Sequence, residues 1–160
     1  MQAVLVRAPG CRVPPGTRVP LVALAARLAP RQLVVHVIIG RDTLLRRLNR
    51  DFRGRDRATD VLSFRYEGAP GRAPGDPDAE IYVSLERAAA QARERRHGLG
   101  SEFVLLVLHG LLHVQGHDHH ERGEARRMHA AERAQLRWLA RRWPRLAMQP
   151  LVPARGPLQD

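Results

Sequence analysis

Apolar and polar positions fall into short blocks whose period changes along the chain. Residues 2–7 read as a short strand, and residues 7–19, rich in proline and glycine, as a loop. Leu21, Leu24 and Leu28 recur at helical spacing, between Pro20, suited to a first turn, and Pro30, which ends the segment. Residues 33–39 are a continuous, mostly β-branched run that predicts a buried strand. His36 within it reads as a core or sheet-face residue rather than a ligand. Asp42 is a suitable N-cap for the next helix, whose apolar stripe is Leu44, Leu45, Leu48 and Phe52 and which Gly54 breaks. A charged connection, residues 55–60, leads to alternation over 61–66, a third strand. Residues 68–78 are a loop, and residues 80–83 a fourth strand.

Ser84 caps a helix running to about His97, with Arg93, Arg95 and Arg96 read as a solvated face. Ser101 is expected to cap the following helix, which is apolar on every side from Phe103 to Leu108 and must therefore be central and buried. A last helix starts near His120, uses Met128, Leu136 and Leu139 as its inner face and stops at Pro144. Strands and helices mix without a regular βαβ repeat. The expected fold is α+β: a small mixed sheet of about four strands packed by about five helices, with the central buried helix carrying the metal ligands discussed below. Residues 1–145 make one domain and residues 146–160 a flexible tail.

The central helix changes the picture from fold to chemistry. It ends in His109-Gly110-Leu111-Leu112-His113-Val114-Gln115-Gly116-His117-Asp118-His119. Histidines at i and i+4 share one helix face and can close on one cation with bonds of roughly 2.0–2.1 Å. Gly116 suits the left-handed conformation that ends a helix, so the chain can turn back and offer His119 as a third ligand. Three histidines with no fourth ligand leave a position for water, the mark of a catalytic zinc site. The bland alternative is a histidine-rich surface turn, but His109 and His113 interrupt an apolar helix, where unpaired polar groups are costly. Asp118 either orients a ligand or caps the last helix. The ligand spacing is that of the metzincin proteases, except that Gly110 stands where their general-base glutamate would be.

Charge sharpens the class of partner. The net charge is +11, and every basic side chain other than histidine is arginine. That suggests an anionic partner, most often nucleic acid, or else only arginine-biased composition with solvated helix faces; arginine favours bidentate phosphate contacts, so any RNA would be held mainly by its backbone. An aromatic content of 4% argues against a base-stacking platform. The lone Cys11 excludes an intrachain disulfide and a cysteine zinc site. No signal peptide or membrane span is evident, so a soluble cytoplasmic protein is expected.

Two separated blocks then match one family. The histidine block resembles the His-Gly-x-Leu-His-x-x-Gly-Tyr-Asp-His signature of the YbeY endoribonucleases, also called rRNA maturation factors. Residues 48–64, from Leu48-Asn49 through Phe52-Arg53 to Thr59-Asp60-Val61-Leu62-Ser63-Phe64, resemble that family's other segment. Element order and spacing fit from about residue 20 to 142. The resemblance implies one zinc ion per chain on His109, His113 and His119. It also implies a metal-dependent single-strand endoribonuclease that matures the 3′ end of small-subunit ribosomal RNA and acts in ribosome quality control. It carries over Arg53 as a catalytic residue, with Arg50, Arg55 and Arg57 beside it as candidate RNA contacts. RNA and the small ribosomal subunit are the implied partners, with no membrane and no DNA specificity. His117 departs from the family's tyrosine, and Glu80 from its aspartate. Two other readings stand beside this one: a zinc-dependent metalloprotease or other zinc hydrolase, and a non-enzymatic ribosome-associated module with structural zinc.

Overall fold

The computed structural model describes residues 2–28, 33–66, 71, 73–117 and 122–146. Four strands and five helices lie among them: β1 (Gln2–Arg7), α1 (Arg18–Leu28), β2 (Val34–Gly40), α2 (Asp42–Arg53), β3 (Val61–Arg65), β4 (Ala79–Ser84), α3 (Leu85–Glu94), α4 (Leu99–Val114) and α5 (Arg122–Arg142). The strands form one mixed sheet in the order β1-β2-β4-β3. β1 and β4 run parallel to β2, and β3 runs antiparallel to β4. This is the expected α+β fold.

Alternation along each strand sets its two faces. Val35, Val37, Ile39, Ala79, Ile81 and Val83 are buried in the core with the apolar residues of α4. Helices α1, α3 and α5 pack around α4. Leu62, Phe64, Glu80 and Tyr82 lie on the other face, where α2 packs against β3 and β4. His36 aligns with Glu80 on that face, half-buried, as a sheet-face residue should be. Every α4 residue from Ser101 to Leu112 is buried, which makes it the rigid axis of the molecule.

Five details differ from the sequence reading. Phe52 lies on the inner side of α2, over Phe64, but is 68% exposed; the buried residues of that helix are Leu45 and Asn49. Helix α4 starts two residues before Ser101, with Gly98 as its N-cap, and the Ser101 hydroxyl instead donates to the Leu146 carbonyl. Leu146, placed in the tail by the sequence reading, packs on the core; residues 147–160 lie outside those described. Asp42 is the first helical residue rather than the cap, and its carboxylate accepts from Ser84 Oγ at 2.6 Å and from Arg87 Nε at 3.1 Å. Arg95 is not solvated: it pairs with the fully buried Glu102 at 2.6 Å.

Candidate metal centre

Helix α4 ends in two hydrogen bonds that reverse the chain. Gly116 N–H donates to the His113 carbonyl (2.9 Å) and His117 N–H to the Leu112 carbonyl (3.0 Å). Gly116 is left-handed, at φ 87°. This is the Schellman arrangement, in which a residue without Cβ turns the backbone at low cost. The expected turn is therefore in place directly after His113. Asp118 and His119 lie outside the described residues.

His109 and His113 are brought together on the helix face that closes this turn. Their Nε2 atoms stand 3.0 Å apart and their ring centroids 4.7 Å. Two nitrogens bound tetrahedrally at roughly 2.0–2.1 Å would be separated by about 3.3 Å. The pair thus already has nearly the bite of a chelate, and its donor chemistry fits a first-row divalent ion. Among the described residues alone, no group of three histidine, cysteine or carboxylate side chains gathers in a ligand arrangement.

Two residues that periodicity did not single out complete the surroundings. Glu132 on α5 places Oε1 3.4 Å from His109 Nδ1 and Oε2 3.8 Å from His129 Nδ1. The Glu132 side chain is only 12% exposed, so this contact operates largely away from bulk water. A carboxylate accepting from Nδ1–H leaves the Nε2 lone pair of His109 facing inward, the tautomer a metal ligand needs. Arg65, the last residue of β3, donates to the Val114 carbonyl at 3.1 Å and brings a guanidinium to the C-terminal end of α4. Both contacts join elements far apart in sequence, so neither leaves a local signature.

Gly110 has a steric reason to be glycine. A Cβ there would lie 2.7 Å from Ile81 Cγ2 and 3.0 Å from Ser63 Oγ. Ile81 is fully buried and stiff at χ1, so this wall of the sheet does not yield cheaply. Gly110→Ala is expected to cost about 1–3 kcal/mol through overpacking, less up to about 1 kcal/mol returned by helix propensity. A urea midpoint at or above the wild-type value would refute the tight wall. A protease's glutamate would meet the same obstruction with a longer side chain.

Arg53 ends α2 on the opposite side of the sheet from α4; it is exposed and has no hydrogen bond to the two imidazoles. Its surroundings are ordered. Gly54 is left-handed and closes α2, Asn49 Nδ2 donates to the Arg57 carbonyl at 2.8 Å, and Arg46 grips Asp56 through two 2.8 Å bonds. Buried Asp60 accepts from Val61 N and Gln91 Nε2, both at 2.8 Å. The Leu48–Phe64 block thus builds a braced turn along which Arg50, Arg53, Arg55 and Arg57 are exposed, Arg50 being paired with Asp51 at 3.0 Å. Glu80 accepts from Tyr66 and Tyr82, both at 2.7 Å. Burial first, then the bond to Glu80, pushes both phenols above their usual pKa.

The family model described as Endoribonuclease YbeY matches residues 20–140. The chain belongs to the YbeY endoribonuclease family. An Endoribonuclease YbeY of Solibacter usitatus is 42% identical over 130 residues, covering 78% of this chain and 84% of the relative. One from an Anaeromyxobacter species is 40% identical over 116 residues, 71% of this chain and 58% of the relative. One from Bordetella pertussis is 51% identical over 92 residues, 57% of this chain and 56% of the relative. Several YbeY relatives are therefore longer than the part this chain spans. A solved structure from Thermotoga maritima, TM1509, superposes with a TM-score of 0.61 at 25% identity, covering 97% of this chain and 99% of that one. Among the described residues, no single helix is long and apolar enough to cross a membrane.

Proposed function

We propose that this chain is a metal-dependent endoribonuclease that cleaves single-stranded RNA, with ribosomal RNA of the small subunit as its substrate in the cytoplasm. The observation that carries the reading is the 3.0 Å convergence of His109 and His113 Nε2 on a buried helix, with Glu132 behind His109. The relatives' name supplies the reaction class. His109, His113 and His119 would hold one zinc ion, and Asp118 would orient a ligand beside them. A bound ion of this kind lowers the pKa of water toward about 7 and so provides a nucleophile at neutral pH.

The chain's own residues do the remaining work. Glu132 keeps the His109 proton on Nδ1. Arg65, whose guanidinium lies on the Val114 carbonyl at the end of α4, would meet a phosphate bound there. Arg53 is the proposed catalytic arginine: its guanidinium would reach around the β3 edge to neutralise charge gathering on the phosphorus, a bidentate task suited to arginine. Arg50, Arg55 and Arg57 would hold flanking phosphates, so binding should weaken steeply with salt. The protease reading loses ground at Gly110, where Ile81 and Ser63 leave no room for a general-base side chain.

The deciding experiment measures metal content and cleavage of a single-stranded RNA, before and after chelation and after zinc is restored, beside a casein digest. Cleavage should vanish with the metal and return with it, and casein should stay intact. Undiminished cleavage by metal-free protein would overturn the reading. Arg53→Ala should cut turnover by roughly 10²–10³-fold with metal content unchanged; equal turnover would remove Arg53 from the chemistry.

A further inference from the structure

Phe52 is the most exposed of the large apolar side chains described, at 68%. Isolated exposed apolar residues are common and need no explanation. Phe52 differs in what lies beneath and around it. Its ring packs on Phe64 with centroids 5.1 Å apart and planes tilted by 58°, and Phe64 in turn meets Tyr82 edge-on at 5.8 Å. Phe64 and Tyr82 belong to β3 and β4, so a rigid sheet supports the outermost ring. Arg50, Arg53 and Arg55, its near neighbours in sequence, are exposed, with Arg50 paired to Asp51 at 3.0 Å. The left-handed Gly54 fixes the direction in which the chain leaves the ring.

We propose that Phe52 is a stacking platform for one unpaired nucleobase of the RNA substrate, next to the arginines that hold its phosphates. The inference rests on the endoribonuclease reading and adds to it a base-binding subsite that discriminates against duplex. Charge complementarity selects the occupant: a supported ring on a segment that carries exposed Arg53 and Arg55 offers a base its π-face and the adjoining backbone its counter-charges. Topology supplies the route. β3 is the edge strand, with Ser63 3.4 Å from the Gly110 carbonyl on one face and Phe64 under Phe52 on the other. A single strand leaving the end of α4 reaches Phe52 by rounding that edge. A duplex, whose bases are stacked on one another, has no free face to give the ring. One supported ring suffices for this role, so a low aromatic content does not exclude it.

Phe52→Leu keeps an apolar contact on Phe64 but loses the aromatic face. In the metal-loaded protein it should raise KM for a single-stranded oligoribonucleotide about 10-fold, with the loss falling on KM rather than kcat, and Phe52→Trp should restore the wild-type KM. In substrates carrying one abasic site at successive positions, the difference between Phe52→Leu and wild type should vanish at one position only. A wild-type KM in Phe52→Leu overturns the proposal and assigns the ring to protein docking instead. Binding is read independently of cleavage in Phe52→Trp, whose indole emission should be quenched by single-stranded RNA beyond the quenching seen in wild type from Trp138 and Trp143. Absence of extra quenching also overturns the proposal. Extra quenching in a protein that cleaves no RNA would sink the enzyme reading and leave the subsite standing.

Discussion

His113→Ala is expected to lose the proposed metal and RNA cleavage while its unfolding midpoint barely moves. Three observations separate these effects. His113 is half-buried at the end of a helix, where alanine has the best helix propensity of any residue, so the fold has little to lose. Its Nε2 is one of only two ring nitrogens converging among the described residues, so a metal site has much to lose. His109 is the poorer target, because removing it takes away the nearer of the two imidazoles at the Glu132 carboxylate and mixes a stability cost into the result. Glu132→Ala gives the graded version of the same experiment. It leaves both imidazoles in place but frees the His109 ring to rotate and exchange tautomers, and metal affinity should weaken by roughly 10–100-fold. Glu132→Gln, which still offers an oxygen to Nδ1–H, should fall between the two. Metal content and dissociation constant are read by competition with a chromophoric chelator. Stoichiometric metal and normal cleavage in His113→Ala would dismantle the proposed centre.

The parts of this site legible in the sequence are those with a local cause. The i, i+4 spacing of His109 and His113 and the glycine at 116 are both properties of one helix and its end, and the structure has them as read. The buried character of α4 was equally plain, because a helix apolar all round has no solvent face to offer. Legibility stops where contacts cross between elements. Glu132 meets His109 from 23 residues away and Arg65 meets Val114 from 49; each looks in sequence like one more charge on a polar surface. The exposure of Phe52 was hidden for a related reason. Its spacing from Leu45 and Leu48 fits an inner stripe, but α2 ends over the sheet edge, where the last inward position has Phe64 beneath it and solvent beyond. The caps show the same limit. Ser101 and Asp42 are good caps by type, yet each bonds to a distant partner, the Leu146 carbonyl and Ser84.

Glu102→Ala is the largest stability loss expected outside the apolar core. Glu102 is fully buried in the first turn of α4, with one oxygen on Arg95 Nη1 at 2.6 Å and the other on His97 Nε2. The pair of contacts ties the end of α3 and the intervening turn to the start of the helix that carries His109 and His113. Removing one member of a buried ion pair costs about 3–5 kcal/mol, because the remaining charge keeps its desolvation penalty and loses its partner. Against a typical stability of about 5–15 kcal/mol, that brings the chain close to unfolding. Urea denaturation should show the midpoint falling with the slope unchanged. A loss below about 1 kcal/mol would mean that Arg95 and His97 find water as good a partner as Glu102. The two ends of α4 can then be set against each other. Both imidazoles survive in Glu102→Ala, so zinc binding the folded form should return stability by mass action, about 2.7 kcal/mol at 100 times the dissociation constant. His113→Ala should show no such recovery. A Glu102→Ala protein that zinc fails to restabilise would show that the N-terminal anchor of α4 is needed to keep the histidine pair in register at its other end.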